Sequence, residues 1–106
     1  MSYRFMRVIV FFDLPSETPE DRRNYRQFRK ALQQNGFLMM QESVYCRLLP
    51  SPSAESATIS AIRKNRPPNG LVQVLTITEK QFSRMEYIVG QKSMDTLDTD
   101  ERLVIL

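Results

Sequence analysis

Two groups of residues have the types and the spacing to do chemistry. The first is Asp13, which closes the run RVIVFFDLP from Arg7 to Pro15. Val8, Ile9, Val10, Phe11 and Phe12 stand directly before it. A short run of β-branched and aromatic residues reads as a strand covered on both faces. Asp is unfavourable inside such a strand, so its place is the rim, where water, a turn or a cation meets the charge. The second group is basic. Arg22, Arg23, Arg26, Arg29 and Lys30 follow one another with no carboxylate between them. On a helix most of them share one broad exposed side. Like charges at these spacings cost about a few tenths of a kcal/mol per pair, so an external anion explains the ridge better than helix design does. A solubilising face would use the same residues.

What is missing narrows the chemistry. The chain has no histidine, which excludes imidazole acid–base catalysis, the serine triad and zinc sites with imidazole ligands. Hydrolysis would rest on carboxylates and a hard divalent cation such as magnesium. Cys46 is the only cysteine, so no internal disulfide forms, as suits a reducing cytoplasm. No apolar run approaches the roughly 20 residues of a membrane helix, and MSYRFMR does not read as a secretory signal. The expectation is a cytoplasmic chain with no membrane partner. Charge is uneven: residues 1–92 hold 14 Lys and Arg against 8 Asp and Glu, and residues 93–106 hold one Arg against four acids. A basic body with an acidic tail suggests a polyanion partner for the body.

The elements that position these groups follow in order. Thr18 reads as a helix N-cap, with Pro19 at the first position and Glu20 and Asp21 at the positive end of the dipole. Tyr25, Phe28, Ala31 and Leu32 form the buried stripe, and Gly36 after Asn35 stops the helix. Phe37 to Met40 and Val44 to Leu49 read as strands joined by Gln41, Glu42 and Ser43. In the second of these, Cys46 is expected on the more apolar face, opposite the one that carries Arg47. Ser51 or Ser53 would cap a second helix with Ala54, Ala57, Ala61 and Ile62 as its stripe. Arg63, Lys64 and Arg66 crowd its end, where the dipole favours cations and where phosphate could also be touched. Leu71 to Thr78 alternates as a fourth strand.

The order β-α-β-β-α-β, with two helices on one face of an antiparallel sheet, is a ferredoxin-like α+β arrangement. Its first strand is central, and its end, at Asp13, falls near Glu42 and Ser43. Residues 1–78 make this core. Residues 79–106 extend it within the same single domain, with a helical turn from Glu79 to Arg84 and a strand from Met85 to Val89. Leu103, Val104, Ile105 and Leu106 close the chain. An apolar end of this kind is a liability unless it pairs with a sheet edge or enters a groove, so the tail is expected to build a dimer or dock a partner.

Taken together, VIVFFDLP, the basic helix ending in Gly36-Phe37, the segment Gln41-Glu42-Ser43-Val44-Tyr45 and the tail DTDERLVIL resemble the CRISPR-associated protein 2 family. The tail is similar to that of the branch accompanying Cas9-type systems. The resemblance implies a homodimer whose C-terminal strands cross over to extend the partner's sheet. It also implies a role in antiviral defence, with the dimer bridging two dimers of the CRISPR-associated integrase and double-stranded protospacer DNA lying across the assembly. Some members are described as metal-dependent nucleases in which the residue matching Asp13 binds magnesium at the dimer axis.

Two functions follow. In the first, the dimer is a scaffold for spacer acquisition, holding duplex DNA through Arg22, Arg23, Arg26, Arg29 and Lys30, with Arg63, Lys64 and Arg66 as further phosphate contacts. In the second, it is a magnesium-dependent endonuclease acting on RNA or DNA, with Asp13 as catalytic metal ligand. An Asp ending a strand is also commonly a turn or cap residue satisfied by backbone N–H groups.

Overall fold

The computed structural model describes residues 5–90. The expected docking residues Leu103, Val104, Ile105 and Leu106 lie outside the described residues, as does the rest of the acidic tail. The apolar run forms β1 (Met6–Asp13), followed by α1 (Pro19–Gln34), β2 (Leu38–Gln41) and β3 (Val44–Leu49). A short 3-10 turn at Pro52–Ala54 leads into α2 (Glu55–Lys64), then β4 (Leu71–Thr78) and α3 (Glu79–Ser83). The four strands form one sheet in the order β2-β3-β1-β4, and every pairing is antiparallel. This is the ferredoxin-like α+β topology, with β1 inside the sheet.

Because β1 has a neighbour on each side, its residues alternate between two covered faces. Val8, Val10 and Phe12 point to the α1 and α2 side, where they join Phe28, Leu32, Phe37, Tyr45, Leu49 and Ile62 in the main core. Phe12 is its aromatic centre, edge-on to Phe28 at 5.2 Å and to Tyr25 at 5.9 Å. Ile9 points the other way and meets Cys46 and Phe82 in a smaller cluster under α3.

The first helix forms as its sequence dictates. The Thr18 hydroxyl accepts from the Asp21 N–H at 3.0 Å and the Asp21 carboxylate accepts from the Thr18 N–H at 3.2 Å, a reciprocal cap. Gly36 ends it at φ +85°, which glycine adopts without a Cβ penalty. The α3 turn repeats the device between Thr78 and Gln81.

Several expectations are corrected. The second strand starts at Leu38, and Phe37 packs into the core instead. Gln41 belongs to β2 through an irregular register between Met39 and Gln41, so the turn is Glu42-Ser43 alone. In β3, the face that carries Arg47 is the one covered by the helices, because Tyr45 and Leu49 flank it there. The charge is tolerated since its Nη1 donates to the Asn35 carbonyl at 3.0 Å and to the Thr58 hydroxyl at 3.3 Å. Neither Ser51 nor Ser53 caps α2: Ala54 holds the cap position, and the two serine hydroxyls bond each other at 2.9 Å. Thr58, not Ala57, is buried with Ile62, because Arg47 gives its hydroxyl a partner. Residues 85–90 form no strand, having no ladder to join among the described residues, and Ile88 and Val89 stand 87% and 90% exposed.

Candidate functional site

The basic ridge lies where the helix period puts it. Arg22, Arg23, Arg26, Arg29 and Lys30 are all exposed on α1, opposite the buried Phe28 and Leu32. The Arg22 Nη1 donates to the carbonyls of Ser16 at 3.2 Å and Glu17 at 3.1 Å, fastening the loop after β1 to the helix. Among the described residues the only ion pair joins Arg7 to Glu79, so no α1 cation is ion-paired there. Arg22, Arg26 and Arg29 line one side of an open groove of about 350 Å³, with Ser16, Tyr25 and Glu42 completing it. Three guanidinium forks facing one trough suit bidentate contact with phosphate oxygens. Glu42 sets an anionic limit at the turn.

The Tyr45 side chain is fully buried, and among the described residues its hydroxyl has no hydrogen-bond partner. Burial pushes its phenol pKa up, with the Arg29 charge opposing the shift.

Arg63, Lys64 and Arg66 are exposed at the end of α2. Arg63 and Arg66 border a different groove, floored by Ile59, Ile62, Val72 and Val74. The two basic clusters therefore do not form one continuous trough.

Asp13 occupies the last position of β1, paired in register with Leu71. It is exposed, and no hydrogen bond among the described residues engages its carboxylate, which counts against a cap role. The Phe12 N–H donates to the Ser43 carbonyl at 3.1 Å, so the Glu42-Ser43 turn does lie beside the end of β1. Gly70 packs against the same point: a Cβ there would stand 2.7 Å from the Asp13 carbonyl oxygen. Among the described residues no three Asp, Glu, Cys or His side chains gather as a metal-binding group.

Asp13 shares the α3 side of the sheet with Ile9, Phe11, Leu71 and Leu75, as the strand register requires. Much of this side is apolar and uncovered, with Leu38, Leu48, Leu71 and Leu75 exposed at 49%, 44%, 54% and 50%. Sequence reading missed the polar cluster beside it. The Arg7 guanidinium grips Glu79 from Nε at 2.6 Å and Nη2 at 2.9 Å, lies 4.3 Å from the Phe82 ring centroid and reaches the Cys46 sulfur at 3.8 Å. Its only signal was a charge at the start of an otherwise apolar strand.

Fold and site together define a small ferredoxin-like chain with a cationic helix and a carboxylate at the end of its inner strand. The family model described as "CRISPR associated protein Cas2" matches residues 6–85. A "CRISPR-associated endoribonuclease Cas2" of Treponema denticola is 54% identical over 101 residues, covering 95% of this chain and all of that protein. A protein of the same description from Streptococcus mutans serotype c is 46% identical, covering 95% of this chain and 93% of the relative. The chain belongs to the Cas2 family of CRISPR-associated proteins. A solved structure described as "Crystal structure of cas2" superposes with a TM-score of 0.58 at 20% identity, covering 82% of this chain and 88% of the other. That likeness supports the fold. Among the described residues no helix is long and apolar enough to cross a membrane.

Proposed function

We infer that this chain serves CRISPR adaptation as a homodimeric scaffold for protospacer DNA. Two copies pack through the uncovered side of the sheet, two dimers of the CRISPR-associated integrase flank them, and duplex DNA crosses the α1 ridges. The observation that carries this reading is the exposed arginine ridge, which has no described acid partner and borders an open groove. Phosphate contacts fix position without reading sequence, as suits a protein that accepts varied DNA. Among the described residues Tyr25 is the one aromatic lining the groove, too few for stacking successive bases of a single strand, which favours a duplex. Duplex affinity should fall steeply with salt, the log–log slope changing by about 0.9 for each phosphate that is no longer neutralised. Arg26→Glu with Arg29→Glu tests it: unchanged affinity and salt slope would sink the scaffold reading.

A second reading is supported by Asp13 and by the relatives described as endoribonucleases. Here the chain is a metal-dependent nuclease. The exposed Asp13 carboxylate has the hard oxygens magnesium prefers, and magnesium commonly takes only one or two protein carboxylates, keeping several waters. One Asp13 from each copy of a dimer meets that requirement. When bound, the cation would polarise a phosphoryl oxygen and acidify a water. Magnesium-dependent RNA cleavage that survives Asp13→Asn would remove Asp13 from this role.

A further inference from the structure

Among the described residues, Arg22 is the one α1 cation whose side chain is fixed by hydrogen bonds. Its Nη1 has two hydrogens, and these go to the Ser16 carbonyl at 3.2 Å and the Glu17 carbonyl at 3.1 Å. Nε and Nη2 form another edge of the same planar group, and they have no partner among the described residues. Such an edge can hold two oxygens of one phosphate side by side. Arg22 lines the α1 groove, and Ser16 lines it too.

The carbonyls that hold Arg22 belong to the loop that leaves Asp13. At one end of that loop Leu14 packs on the main core. At the other, Thr18 is held by its reciprocal cap with Asp21. Pro15, Ser16 and Glu17 between them are exposed, and the Arg22 bonds tie this stretch down. One guanidinium therefore faces two tasks, fastening the loop and meeting an anion in the groove.

We propose that Arg22 is the pre-set fork of the α1 groove, and that it couples phosphate binding there to order in the loop after Asp13. The inference rests on the scaffold reading and adds a division of labour among its arginines. Arg26 and Arg29 must give up side-chain freedom when a phosphate binds, whereas Arg22 is already held in the free chain. The coupling is reciprocal: a loop that fixes Arg22 favours phosphate, and phosphate on Arg22 steadies the loop. Lysine would keep the charge but lacks the planar fork. It cannot fasten the loop on one edge and take a phosphate on another.

Two measurements on the full-length chain test this. The first is titration with a short mixed-sequence DNA duplex at several salt concentrations. Arg22→Lys should weaken binding at least about fivefold without changing the salt slope, and Arg26→Lys or Arg29→Lys less than about twofold. Arg22→Gln should also lower the slope by about 0.9, which a residue that only fastened the loop would not do. The second measurement needs no variant to fold. Amide order parameters at Ser16 and Glu17 should rise when duplex saturates the parent chain, and should not rise when it saturates Arg22→Lys. Equal losses in the three lysine variants would overturn the role of Arg22. Loop order parameters unchanged in the parent complex would overturn the coupling. A parent chain without salt-dependent duplex affinity would instead remove the scaffold reading beneath both.

Discussion

Arg7 and Glu79 join the inner strand of the sheet to α3 by a two-pronged ion pair, Nε to Oε1 at 2.6 Å and Nη2 to Oε2 at 2.9 Å. The side chains are 11% and 24% exposed, so the pair is largely withdrawn from water. Burial opposes the Arg7 charge, but the Glu79 bond and charge more than offset it, and the guanidinium pKa is raised. Phe82 adds its ring face to the same cation. The Glu79 N–H also donates to the Phe5 carbonyl at 3.0 Å, so the acid is anchored at both ends.

Removing one partner leaves the other charge poorly solvated, which costs more than the pair itself contributes. Glu79→Gln should therefore destabilise the fold by about 2–4 kcal/mol. Replacing both residues, Arg7→Met with Glu79→Gln, should recover part of the loss. Urea unfolding followed by circular dichroism measures both, and a double variant no more stable than the single one would contradict the account.

The Cys46 thiol sits 1% exposed beside this pair. Burial raises its pKa above the ordinary value, with Arg7 pulling partly back. The folded chain then keeps a proton that the unfolded chain releases above about 8.5–9. This contribution is complete below the unfolded value and is lost as pH rises toward the folded one, at most about 1.4 kcal/mol per pH unit for one proton. Tyr45, also raised by burial, adds a second loss beginning near 10. Stability against pH should bend downward near 9, and Cys46→Ala should remove that first bend. Tyr45→Phe should remove the second and, by deleting a buried hydroxyl without a partner among the described residues, raise stability at neutral pH by up to about 1 kcal/mol. A profile unchanged by both substitutions would show that neither group drives the alkaline loss.

Gly70 ties the carboxylate edge to the turn before β4. Its φ is +95°, and a Cβ would meet the Asp13 carbonyl oxygen at 2.7 Å and the Leu14 Cδ2 at 2.8 Å. One obstacle is backbone and cannot swing aside. Gly70→Ala should cost about 1–3 kcal/mol through strain and displacement, and should shift the amide resonances of Asp13 and Leu14. Gly90→Ala provides the contrast: its φ is +93°, but among the described residues nothing lies within 4 Å of a Cβ there. It should leave those two resonances alone.

The sequence made some of this plain and hid the rest for a physical reason. The cap at Thr18, the stripe of Phe28 and Leu32 and the alternation of Leu71 to Thr78 are set by neighbours a few residues away. Period and propensity report them. The basic ridge was visible by the same logic. Arg47 was misjudged because its partners, Asn35 and Thr58, are 12 and 11 residues distant, one capping the end of α1 and the other within α2. Arg7 and Glu79 are separated by 72 residues, and only the antiparallel pairing of β1 with β4 brings α3 over Arg7. Asp13 was correctly expected at a rim beside the Glu42-Ser43 turn, since the topology alone requires that.

The uncovered sheet side bears most directly on Asp13. Leu71 pairs with it in register, Leu75 pairs with Ile9, and both leucines stay half exposed. Burying the remaining half of each should contribute about 1 kcal/mol per side chain, and a twofold interface would use four of them. Leu71→Glu with Leu75→Glu removes that gain and sets four carboxylates near the two Asp13 groups. Since about 1.4 kcal/mol is tenfold in an equilibrium constant, the dissociation constant of the proposed dimer should rise by at least about a hundredfold. Sedimentation equilibrium is expected to find dimer for the parent chain and monomer for the variant at the same concentration. The circular dichroism spectrum should hold, because neither side chain belongs to the main core. A variant that remains dimeric would place the interface elsewhere and separate the two Asp13 carboxylates. The shared-cation nuclease would fall with that result. The α1 ridge would keep its capacity for DNA, because it lies on the opposite side of the sheet and does not need the two carboxylates to meet.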